Sequence, residues 1–366
     1  MAIRIFYASP STAHQEALPN SKTWHVNHYL PLADLGHELV TFDFDYSACN
    51  YNLDPGIPAQ REFISRNRPR FGEALLAQVR SAHSRKPIDL FFSYFYSAYV
   101  EPDVIREIGR MGILTMNWYC NASYQFHLVE EIAPAYHYSL VPEKFRLEDY
   151  RRVGANPIYC QEAANPNVYR PYDLPQDYDV TFVGQRYGDR TIFLRHLIDG
   201  GIDARAWGPH WQDPYFPSWW MLAGSSVKRL LTGRKWPWAE YVPRDRCGPP
   251  LSDKELVEMY SRSKISLGFT TVAEGRIKQV RLRDFEAPMS GAFYMVERFD
   301  ELAEFFDPGK EVVFFESPDE LLEKVRYYLR HDTERRRIRE AGMRRARSQH
   351  TWHRRFEMVF AQIGIG

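Results

Sequence analysis

Short apolar runs that alternate with stretches of helical spacing predict an α/β protein with two parallel-sheet halves. Three observations carry this reading. Each apolar run ends in a turn signal such as Ser9-Pro10-Ser11, which marks a buried strand leaving its sheet. The stretches between runs repeat their apolar residues every three or four positions, as helices covering a sheet must. Residues 163–177, AANPNVYRPYDLPQD, lack either period and are rich in Pro and Asn, so they read as a linker. A chain of 366 residues is long enough to bury two cores.

The first half opens with a strand at 3–8 (IRIFYA), a helix at 24–35 closed by Gly36, and a strand at 37–43 (HELVTFD). This strand–helix–strand start is of Rossmann type but has no GxGxxG, so a dinucleotide fingerprint is absent. A helix at 71–82, a strand at 88–95, a helix at 102–111 and a strand at 113–118 follow. The half ends with a strand at 136–141, a helix at 143–153 and a strand at 157–160. The expected domain covers residues 1–165, with the linker at 166–177.

The second half starts with a strand at 179–183 (DVTFV), a helix at 191–200 and a strand at 202–207. It resumes with a helix at 255–263 and strands at 265–269, 292–296 and 312–315, with a helix at 282–290 between the first two of these. Helices at 317–329 and 333–348 close the pattern. The expected domain is 178–345, followed by a C-terminal helical segment, 346–366, that packs back on the first domain. Residues 211–250 break the rhythm. They carry five Trp and six Lys or Arg against three acids, the composition of a segment that touches a membrane interface or a polymeric acceptor.

Composition excludes several classes. Formal net charge is zero, so nucleic acid is not an expected partner. The four cysteines are scattered, without CxxC or nearby His, which argues against zinc and against a disulfide framework and fits a reducing cytoplasm. Aromatics reach 15%, and their faces suit stacking on sugars. No apolar run approaches the roughly 18 residues that span a bilayer.

Ligands of open parallel sheets sit beyond the carboxyl ends of the strands. In the second half those positions are 184–190, 207–210, 270–281 and 297–298. Gly184 lets the backbone approach a ligand, and Arg186 and Arg190 can neutralise phosphate. Gly208 lies at the next strand end. The basic loop from Thr270 through Lys278, Gln279 and Val280 feeds a helix carrying Arg283 and Glu286. Cations there suit a diphosphate, and the Glu286 carboxylate can accept two hydrogen bonds from a vicinal diol such as ribose. In the first half, His28 on the opening helix is a candidate general base, beside His25. Asp43-Phe44-Asp45 has the DxD spacing of some metal sites but reads as a loop cap, so no metal ligand is expected.

Four stretches of the second half resemble the C-terminal domain of GT-B glycosyltransferases, and specifically the spore-maturation (CgeB-like) group related to family 4. They are YDVTFVGQRYGDR (178–190), MYSRSKISLGF (259–269), RLRDFEAPMSGAFYMVE (281–297) and most of 305–355. The resemblance implies two Rossmann-like domains facing each other across a cleft. It implies that Glu286 is the second acid of an E-x7-E motif and holds the ribose, that Arg283 is the Arg of an R-x-F-E pattern, and that Gly184 and Arg186 face the donor diphosphate. Lys278 stands where the first Glu of that motif would be, so contacts near the sugar differ.

The expected function is therefore transfer of a sugar from a nucleoside-diphosphate sugar to a glycan, lipid-linked or small-molecule acceptor, without cofactor or metal and with retention. Arg186, Lys278 and His28 are the expected catalytic residues. Alternatives on the same scaffold are a nucleotide-sugar epimerase, a phosphorylase or a non-catalytic binding protein. The expected location is cytoplasmic, at the inner face of the membrane if residues 215–238 touch lipid.

Overall fold

A computed structural model describes residues 2–10, 22–46, 54–213, 241–272 and 277–365. The chain divides into two compact units. The first contains Met1–Val168, Gln279–Phe285 and Ser348–Gly366; the second contains Tyr169–Lys278 and Glu286–Arg347.

The first unit is built on six parallel strands: β1 (Arg4–Ala8), β2 (Glu38–Thr41), β3 (Leu90–Ser93), β4 (Leu114–Trp118), β5 (Tyr138–Val141) and β6 (Pro157–Tyr159). Their order is β2-β1-β3-β4-β5-β6, so the chain winds one way after β1 and the other way from β3. β1 and β3 are buried over almost their whole length, as strands covered on both faces require.

Two helical segments of this unit differ most from the sequence expectation. Residues 24–35 form a π-helical turn, His25–Tyr29, and then a short helix α1 (Leu30–Asp34). Pro31 has no N–H to return to the carbonyl four residues earlier, and the Leu30 N–H bonds to the His25 carbonyl instead. Helix α2 runs over Pro58–Arg85, far longer than the expected 71–82. Residues 58–70 bury only Ile64, so apolar periodicity does not reveal them. α3 (Pro102–Arg110), α4 (Ala122–Gln125) and α5 (Leu147–Arg152) complete the Met1–Val168 stretch.

The second unit has a sheet of β7 (Tyr178–Val183), β8 (Ala204–Trp207), β9 (Cys247–Gly248), β10 (Ser263–Gly268), β13 (Tyr294–Glu297) and β14 (Val313–Phe315). The order is β14-β13-β10-β7-β8-β9, all parallel. A separate antiparallel ribbon pairs β11 (Thr271–Val272) with β12 (Ile277–Lys278). The helices are α6 (Arg190–Asp199), α7 (Asp253–Arg262), α8 (Arg283–Met289), α9 (Pro318–Arg330) and α10 (Asp332–Gln349). α8 straddles the division, since Phe285 counts with the first unit and Glu286 with the second. α7 begins with a complete capping box between Ser252 and Glu255.

A last helix, α11 (Trp352–Ile363), belongs to the first unit. The Thr351 hydroxyl caps it by accepting from the Arg354 N–H, and Gly364 stops it with φ 73°. Its buried face places Trp352, Phe356, Val359 and Phe360 in the first core. Most of the Trp-rich segment expected to contact membrane or acceptor, residues 214–240, lies outside the described residues. Among the described residues, no helix is long and apolar enough to cross a membrane.

Candidate functional site

The second sheet reverses its strand order between β7 and β10. A crevice forms at such a switch point, beyond the carboxyl ends of the strands. A cavity of about 170 Å³ lies there. Tyr187 and Phe193 line it from the β7 side, Phe269 and Thr271 from the β10 side, and Glu297 and Glu316 from the ends of β13 and β14.

The loop after β7 is fastened to the loop after β8. The Gly184 N–H donates to the Trp207 carbonyl at 2.7 Å, and the Arg186 N–H to the Pro209 carbonyl at 3.0 Å. Trp211 Nε1 donates to the Gly184 carbonyl at 2.5 Å. Gly208 has φ 139°, and a Cβ on it would lie 2.4 Å from the Gly184 oxygen. Only glycine fits that backbone and that approach. Gly208 thus serves the closeness of two loops, where the sequence suggested closeness to a ligand.

Arg190, expected to meet phosphate, lines the cavity and also braces its own loop. It is 4% exposed. Nη1 donates to the Gln185 carbonyl at 2.7 Å and Nη2 to the Tyr187 hydroxyl at 2.6 Å. The guanidinium also lies 3.7 Å from the Tyr187 ring centroid. Its charge holds the loop's shape while Arg186 stays half-buried. Burial pushes the Cys247 thiol up to about 11, against the pull of the Arg186 guanidinium.

At the end of β10, Thr270 is fully buried, and its hydroxyl donates to the Glu297 carbonyl at 3.3 Å. It faces the protein, contrary to the expected ligand contact. Lys278 ends β12 and pairs with Glu297 at 3.1 Å. Gln279 and Val280 are also buried, and Gln279 Oε1 accepts from the Ser123 hydroxyl.

The helix start behind this loop is built by its own side chains. The Arg281 N–H donates to Asp284 Oδ2 at 2.8 Å, and Asp284 is 1% exposed. Arg283 is the first residue of α8, and Glu286, buried, is one turn on. Three positions apart, they share a helix face. Gly291 at φ 75° closes the helix, with the Ala292 N–H returning to the Ala287 carbonyl. At seven residues α8 is too short for a large dipole, so countercharge for an anion must come from side chains.

Among the described residues His28 lies in the first core and lines no part of the crevice. It is fully buried in the first core, ringed by Trp24, Phe92, Trp118, Trp352 and Phe356. Burial lowers its pKa to about 3. A general base must reach the hydroxyl it deprotonates, and this imidazole has no exposed surface. The half-buried His25 is likewise lowered by burial and by Lys22. Asp43 takes part in a reciprocal pair with the Gln78 amide through its own backbone. Among the described residues, no three His, Cys, Asp or Glu side chains gather as a metal group.

Sequence reasoning selected the strand end at 297–298 but gave Glu297 no role. The signal was its position alone, an acid closing a buried strand at the crevice. The aromatic lining of Tyr187, Phe193 and Phe269 carried no motif.

Comparison with known proteins agrees with this architecture. Residues 190–361 match a family model described as glycosyl transferase-like. The curated proteins contain no match to the chain. Among solved structures, sucrose-phosphate synthase from Thermosynechococcus elongatus superposes with a TM-score of 0.62 at 14% identity, covering 98% of this chain and 99% of that one. The Anabaena protein HepE, solved with UDP-glucose, gives 0.59 at 11% identity, covering 99% of each chain. A glycosyltransferase from Rickettsia africae gives 0.58 at 12% identity, covering 99% of this chain and 98% of that one. The two parallel-sheet units thus have the GT-B fold, and residues 190–361 are similar to the glycosyl transferase-like model.

Proposed function

We propose that this protein is a metal-independent glycosyltransferase of the CgeB-like group that takes a sugar from a nucleoside-diphosphate sugar with retention of configuration. The observation that carries the reading is the crevice at the β7/β10 switch point in a domain that matches the glycosyl transferase-like model. A structural neighbour with UDP-glucose bound supports the donor class.

As the acceptor hydroxyl oxygen bonds to the anomeric carbon and the bond from that carbon to the diphosphate oxygen breaks, the departing nucleotide goes from about two negative charges to about three and can take the acceptor's proton. Arg186 and Arg283 supply the countercharge that a metal would otherwise provide. Glu286, on the same helix face as Arg283, accepts from the ribose hydroxyls and fixes the nucleotide. Each charge contact made in the transition state is worth roughly 2–4 kcal/mol. Exclusion of water by the protein and the acceptor suppresses donor hydrolysis.

Calorimetry with UDP-, GDP-, dTDP- and ADP-sugars, in the presence of a chelator, tests the donor site. Arg283→Ala and Glu286→Ala should each weaken the preferred donor by tenfold or more. Wild-type affinity in both variants would sink the assignment. The anomeric signal of the product by NMR decides retention, and a chelator that abolishes turnover would refute metal independence.

A further inference from the structure

The carboxylate of Glu297 ends β13 at the crevice, and it is fully engaged. Oε2 accepts from the Thr271 N–H at 2.9 Å and lies 3.4 Å from the Thr270 hydroxyl. Oε1 accepts from the Thr271 hydroxyl and pairs with the Lys278 ammonium at 3.1 Å. An ionised carboxylate offers about four acceptor positions, so this one has little left for a ligand. Lys278 Nζ in turn donates to the Arg298 carbonyl at 2.7 Å. Burial works against the charge on Glu297, yet the Thr271 bonds and Lys278 hold its carboxyl below the usual range.

The partners are what give this cluster meaning. Thr271 and Lys278 face each other at the base of the β11–β12 ribbon. Among the described residues the ribbon has two residue pairs, too few to hold their own geometry in water. Glu297 grips both strands at once, and the Arg298 backbone holds the second strand again. The residue that follows Lys278 is Gln279, which begins the stretch leading to Arg283 and Glu286.

We propose that Glu297, with Lys278 as its countercharge, is a positioning residue that pins the base of this ribbon and so fixes the starting point of the donor-binding stretch. The proposal rests on the donor reading above for its consequence, though not for its geometry. Glu297 acts through the chain and does not touch the donor. The Lys278 ammonium is part of the pin.

The test uses the full chain and three variants, Glu297→Gln, Lys278→Met and Lys278→Arg, all kept well below their melting temperatures. Hydrogen exchange at the Thr271, Val272, Ile277 and Lys278 amides reads the pin; calorimetry with the nucleotide-sugar panel reads its consequence. Exchange should quicken at least tenfold in Glu297→Gln and Lys278→Met, with donor affinity falling at least tenfold. Lys278→Arg, which keeps the cation, should stay within threefold of wild type on both. Unchanged exchange in Glu297→Gln and Lys278→Met overturns the pin, as does equal behaviour of the two Lys278 variants. A wild type that binds a donor, with Glu297→Gln and Lys278→Met binding it equally well, also overturns the proposal. A wild type that binds no nucleotide sugar instead sinks the donor reading and with it the consequence claimed for the pin.

Discussion

His28 carries two ring nitrogens into an aromatic core, and neither has a hydrogen-bond partner among the described residues. Such a group is stable only while neutral. Its folded pKa of about 3 lies below the ordinary value of 6.5. Below pH 6.5 the unfolded chain therefore takes up a proton that the folded one refuses. Stability falls as pH falls through that window, by about 1.4 kcal/mol per pH unit, until pH approaches 3. Above 6.5 the residue adds no pH dependence. His28→Phe keeps the ring and removes the proton site. Denaturant titrations at pH 7 and pH 5 should show the variant gaining on wild type by about 2 kcal/mol at the lower pH. A difference that does not change with pH would refute the burial argument. The same residue shows why sequence alone misplaced it. Position on the opening helix suggested the crevice, whereas the direction of its side chain depends on Trp352 and Phe356, more than 300 positions away.

The loops after β7 and β8 make one unit through Gly184 and Gly208. Alanine at 208 would strain the backbone at φ 139° and drive its Cβ into the Gly184 oxygen. Strain of this kind costs roughly 1–3 kcal/mol before the clash is relieved. Gly208→Ala should lower the melting temperature and weaken donor binding together, because relief must move the loop that presents Arg186. Retained stability with wild-type donor affinity would show that the two loops are not coupled. Elements of this kind mark the limit of what was legible. Strands such as β1 and β3 stand out because each is a mostly apolar run closed by a turn. The helix at 24–35 misleads, since its apolar spacing is intact while Pro31 breaks the hydrogen-bond ladder. α2 is underestimated because its polar first half is helical without burying a face. At the site, the strand-end rule found the crevice and the basic loop. It could not foresee that Thr270 turns inward or that Arg190, while lining the cavity, braces its own loop, because rotamer and partner are decided by packing among Tyr187, Phe269 and Glu297.

The first unit gathers both ends of the chain, since Ser348–Gly366 counts with Met1–Val168. α11 is therefore part of the first core despite following the whole second unit. It buries Trp352, Phe356, Val359 and Phe360 against residues that include Phe92 and Trp118. Each such side chain contributes roughly 1.5–3 kcal/mol on burial. Four of them together supply about 6–12 kcal/mol, comparable to the roughly 5–15 kcal/mol that keeps a whole domain folded. Deleting residues 348–366 should thus unfold the first unit while the second, whose core lies within Tyr169–Arg347, keeps its own transition. Calorimetric scanning should lose one of two transitions, and a dye that binds exposed apolar surface should brighten at low temperature. Trp352→Ala alone should give an intermediate loss of about 3–5 kcal/mol in the same transition. A truncated chain that still shows both transitions would mean that the first sheet holds its core without the last helix.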